Sequence, residues 1–104
     1  MKLHDINEAR ILRQNYVQLV YDLYHRRTGR QAKDGWYEKS LPKSDYEEIK
    51  QQIENHFGEP TSEWPDGSAV WDVRAPSMSI LLDTTPQETG FITEPNVCVL
   101  TVWR

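Results

Sequence analysis

The chain is predicted to adopt an α+β fold: two N-terminal amphipathic helices packed on a three- to four-stranded antiparallel meander, in a single domain spanning residues 1–104. Three observations predict it. Apolar residues recur at three- and four-residue spacing up to Phe57 and at two-residue spacing after it. A capping-box pattern stands at the start of each helical run. Pro- and Gly-containing turns separate the short apolar runs of the C-terminal half.

The first helix is expected from about Ile6 to Arg26. Asp5 and Glu8 form its capping box, and Ala9, Leu12, Tyr16, Leu19, Val20 and Leu23 form one stripe. Thr28-Gly29 should stop it. Residues Arg30 to Pro42, with Gly35 and the pair Trp36-Tyr37, read as a connector whose length implies that it is either partly structured or functional. Ser44 and Glu47 make a second capping box, and Tyr46, Ile49, Ile53 and Phe57 follow at helical spacing. This second helix, about Asp45 to Phe57, should end in an αL cap at Gly58, with Pro60 preventing continuation.

Trp64-Pro65-Asp66-Gly67 is a turn signal joining a short strand near Thr61 to one from Ser68 to Arg74. In the latter, Ala69, Trp71 and Val73 share one face, and Val70, Asp72 and Arg74 share the other. Asp72 and Arg74 suggest a surface ion pair or a polar binding face. Ala75-Pro76-Ser77 turns the chain into a strand from Met78 to Asp83, and the last strand runs from Pro95 to Trp103. Both are apolar on both faces, so they belong at the centre of the sheet, with a short edge strand near Phe91-Ile92 in the loop between them. The helices should cover one face.

Composition narrows the chemistry. The single cysteine, Cys98, lies in the apolar run Val97 to Leu100 and reads as a buried hydrophobe. The first fourteen residues carry charges throughout and no apolar h-region, so no secretory signal is expected and the reading is cytoplasmic. Every glycine is isolated, so there is no phosphate-cradling loop. His4, His25 and His56 are too dispersed to build a zinc site by local spacing. The latter two sit where a helix dipole favours a cation. Ser77 and Ser79 have no histidine close in sequence. The expectation is a binding protein, with no cofactor, no metal and no catalytic residues.

Charge is segregated along the chain. From Met1 to Lys43 nine basic residues face five acidic ones, a net +4, whereas from Ser44 to Arg104 three basic residues face eleven acidic ones, a net −8. Fields of that kind steer encounters with oppositely charged partners. The acidic part supplies Glu47, Glu48, Glu54, Glu59, Glu63 and Asp66 as candidate contacts for a basic protein, with Trp64 as an aromatic anchor among them. The alternative is a nucleic-acid-binding accessory protein using the basic 25–37 segment, with Arg26, Arg27, Arg30, Lys33, Trp36 and Tyr37. The sequence pI of about 5.3 argues against that alternative.

Residues 45–104 carry a helix ending in Phe57-Gly58-Glu59-Pro60, a hairpin leading to Val70-Trp71-Asp72-Val73, and the apolar strand Ser79-Ile80-Leu81-Leu82. This layout resembles immunity proteins of bacterial contact-dependent and other polymorphic toxin systems. The resemblance implies a small cytoplasmic protein that binds a cognate toxin domain, for instance a nuclease, and blocks its active site. The basic first part departs from the uniformly acidic surface that the resemblance implies.

Overall fold

The computed structural model describes residues 15–33, 36–84 and 96–104. The predicted capping box at Asp5 and Glu8, the stripe positions Ala9 and Leu12, and the strand near Phe91-Ile92 lie outside them. Among the described residues there are two α-helices, α1 (Tyr16–Tyr24) and α2 (Tyr46–Phe57). The strands are β1 (Arg30–Lys33), β2 (Trp36–Pro42), β3 (Ser62–Glu63), β4 (Ala69–Arg74), β5 (Ser77–Asp83) and β6 (Val97–Trp103). All neighbours in the sheet are antiparallel, in the order β1-β2-β6-β5-β4-β3.

The α+β class and the central place of β5 and β6 match the sequence reading, but the sheet is larger than expected. The segment Arg30 to Pro42 is no loop: it contributes β1 and β2, and β2 pairs along its whole length with β6, from Trp36↔Trp103 to Pro42↔Val97. Its alternation is hidden because Lys39 shares the inner face with Tyr37 and Leu41 yet stays exposed, so the period of two is broken in sequence.

Both helices also differ in detail. Asn15 has extended backbone (φ −91°, ψ 102°), and its side chain accepts the Gln18 N–H at 2.9 Å, so α1 starts there rather than continuing from Ile6. It ends at Tyr24, short of Arg26, which takes φ +60°. Gly29, at φ +82°, lets the chain pass close to β2; a Cβ there would stand 2.6 Å from the Glu38 carbonyl oxygen and collide with Leu23. The Ser44–Glu47 capping box does not form: Lys43–Asp45 is a 3₁₀ turn, and no side chain caps α2. Gly58 does end α2 with positive φ, but its ψ of −169° is the glycine-only extended region, not αL.

The stripes Tyr16, Leu19, Val20, Leu23 and Ile49, Ile53 face the inner side of the sheet, where they bury Leu41, Ala69, Trp71, Met78, Ile80, Leu82, Cys98, Leu100 and Val102. Trp71 is 1% exposed, and its indole N–H donates to the Gly58 carbonyl at 3.0 Å. This bond ties β4 to the end of α2. Among the described residues no buried side-chain polar atom lacks a partner. The opposite face of the sheet carries half-buried Val70, Leu81, Val97, Val99 and Trp103. On that face the Ser79 hydroxyl donates to Asp72 at 2.8 Å. No helix among the described residues is long and apolar enough to cross a membrane.

Candidate partner-binding surface

The β3–β4 hairpin is built by its turn residues. The Gly67 N–H donates to the Trp64 carbonyl at 2.9 Å, closing the Trp64-Pro65-Asp66-Gly67 turn, and Gly67 has φ +94°. Asp66 accepts the Ser68 N–H at 2.8 Å, an Asx turn that locks the return strand. Trp64 itself projects: it is 49% exposed and is the large hydrophobic side chain left in solvent among the described residues. Glu63 precedes it, Asp66 follows it, and Glu59 lies exposed on the approach to β3.

Two neighbours hold this tip. Tyr46, at the start of α2, donates its hydroxyl to the Gly67 carbonyl, and a Cβ at Gly67 would stand 2.9 Å from that hydroxyl. At the end of β5, the buried Thr84 hydroxyl donates to the Asp66 carbonyl at 2.9 Å, and the Thr84 N–H donates to the Ser68 hydroxyl at 3.0 Å. Further along α2, the Lys50 ammonium reaches Glu63 at 3.3 Å. Burial alone would lower the Lys50 pKa, but Tyr46, Glu63 and Glu54 outweigh it and raise it, so the cation persists beside the acidic tip.

The seven residues read as contacts from the sequence therefore divide. Glu63, Trp64 and Asp66 are exposed on the hairpin, and Glu59 is exposed on the approach to it. Glu54 continues the Tyr46–Lys50 line of α2 at four-residue spacing, half-buried. Glu47 is exposed in the first turn. Glu48 lies on a different side of the helix: it accepts from Gln52 at 2.8 Å, and Gln52 in turn accepts the Tyr16 N–H of α1. Sequence reasoning missed Tyr46, Lys50, Ser68 and Thr84 as supports. In the sequence Tyr46 stands as one member of an apolar stripe; the signal of its second role is its hydroxyl, which needs a partner when the ring packs.

The basic segment is assembled differently. The Arg26 guanidinium lies over the Tyr37 ring, 5.4 Å from its centroid. Arg27 faces Asp22 at 4.0 Å and Arg30 pairs with Glu38 at 3.1 Å. Trp36 stacks on Trp103 with centroids 4.6 Å apart and planes at 21°. Lys33 lies at the end of β1, in register with Trp36. Trp36 and Tyr37 are thus half-buried strand residues rather than an open aromatic loop.

Cys98 is 0% exposed, and burial pushes its thiol up to about 11. A thiol so shielded is no nucleophile at neutral pH. Among the described residues no group of three or more His, Cys, Asp or Glu is arranged to hold a metal ion. Comparison with protein-family models, with curated proteins and with solved structures finds no match.

Proposed function

We propose that this chain is a binding protein of the toxin-neutralising kind, which meets a basic toxin domain with its β3–β4 hairpin and covers that domain's active site. The observation that carries the reading is Trp64: a large aromatic, half-exposed, carried on a hydrogen-bonded turn, with exposed Glu59, Glu63 and Asp66 close to it in sequence. Leaving such a ring in water is unfavourable unless a partner buries it, and a pre-set anchor loses little entropy on binding. The acidic surround supplies steering toward a basic groove. The nucleic-acid reading is less well supported, because Arg26, Arg27, Arg30 and Trp36 already have partners within the fold.

The test is neutralisation. The adjoining upstream gene is expressed alone and together with this chain, as wild type, Trp64→Ala, or Glu59→Lys with Glu63→Gln. Growth arrest by the neighbour, rescue by the wild type and loss of rescue by either variant would support the reading. A harmless neighbour, or rescue that is undiminished in both variants, contradicts it.

A further inference from the structure

The segregation of charge in the sequence becomes a segregation in space. The strand order sets β1 and β3 at opposite edges of the described sheet. Five strand spacings separate them by about 24 Å. Residues 26–33 carry four basic residues and no acidic one, whereas residues 59–66 carry three acidic residues and no basic one. Arg27, Arg30 and Glu63 are met within the fold by Asp22, Glu38 and Lys50, but these are partly exposed pairs that a docking partner can compete for. The screening length at physiological salt is roughly 8 Å, so the two edges act as separate fields and neither cancels the other. The low pI is therefore a poor guide to what either edge attracts.

Among the described residues, no further strand pairs with the outer side of β1 or of β3. On β1, Gln31 and Ala32 are exposed and the Arg30 side chain is 72% exposed. β3 covers β4 only at Ala69 and Val70; beyond it the Asp72 N–H is taken by the Thr61 hydroxyl at 2.9 Å, and Asp72 and Arg74 are exposed. Charge is the usual guard against pairing of sheet edges. Here it guards selectively, because β1 against β1 and β3 against β3 repel while β1 against β3 attracts.

We propose that a second copy of this chain docks head to tail, with the β1 edge of one molecule on the β3–β4 edge of the next. The contact is heterologous and extends into open chains rather than closing as a dimer. It is held mainly by charge, so it is salt-sensitive, and it covers the Trp64 hairpin. Self-association then competes with any basic partner, although it requires none.

Sedimentation of the full chain at low and high salt tests this. The expected result is a mean mass that rises with protein concentration at low salt and returns to the monomer at high salt. Arg27→Glu with Arg30→Gln removes the basic edge, and Glu59→Lys with Glu63→Gln removes the acidic edge. Each double variant should be monomeric alone, while a mixture of the two should form pairs, because one intact interface remains between them. Circular dichroism checks that both are folded; if either is not, the wild-type salt and concentration series decides. A wild type that stays monomeric at low salt overturns the proposal. If that monomer binds a DNA oligonucleotide with salt dependence, the basic edge belongs to nucleic acid instead. Double variants that associate as well as the wild type also overturn it.

Discussion

Single side chains join the elements of this fold to its hairpin. Tyr46 is the clearest case, since its hydroxyl reaches across from α2 to the Gly67 carbonyl. Tyr46→Phe leaves that carbonyl without its partner and should cost about 1–3 kcal/mol in urea unfolding. It should also weaken partner binding by loosening the tip, while Trp64→Ala should weaken binding with little effect on stability. Two buried groups make a pH prediction. Burial, with the Asp45 carboxylate second, raises the Tyr16 hydroxyl to about 12, and burial raises the Cys98 thiol to about 11. Both are held protonated by the fold, so their contribution is complete below the unfolded values of 9.0 for Cys98 and 10.0 for Tyr16 and is lost as pH rises through the folded values. The melting temperature should hold up to about pH 9 and fall steadily from there toward pH 12; a flat profile across that window would contradict the assignment.

Elements were legible where the pattern and the packing agreed. The stripe of α2 and the alternation of β4 could be read directly, and β5 could be placed at the centre of the sheet because it is apolar on both faces. The β1–β2 hairpin could not, because the exposed Lys39 interrupts the inner row. The start of α1 is not legible because apolar periodicity runs straight through Asn15, whose side chain caps the helix that begins at Tyr16 by taking the Gln18 N–H. Asn15→Ala should therefore destabilise the protein by about 1 kcal/mol, read as a lowered urea midpoint with an unchanged slope. Gly29→Ala should be worse, since it combines positive φ with a collision against Glu38 and Leu23. The hairpin turn at Trp64 to Gly67 was legible because its chemistry is local. Its supports were not, because Tyr46 and Thr84 lie 21 and 18 residues from the atoms they hold.

Among the described residues, the helices pack on one face of the sheet, and the edge segments 26–33 and 59–66 carry opposite formal charge. The acidic edge combines charge, a fixed turn and an exposed tryptophan, and the basic edge has charge alone. That asymmetry is why the working surface is assigned to the β3–β4 hairpin. The most direct measurement is the binding rate of the purified chain to the C-terminal domain encoded by the adjoining upstream gene, compared at low and high salt. The account predicts tight binding, with Trp64→Ala speeding dissociation at least about thirtyfold, as expected for a hot spot of ~2 kcal/mol or more. It also predicts that Glu59→Lys with Glu63→Gln slows association at low salt but much less at high salt. Absence of binding, or rates that neither substitution changes, would contradict it.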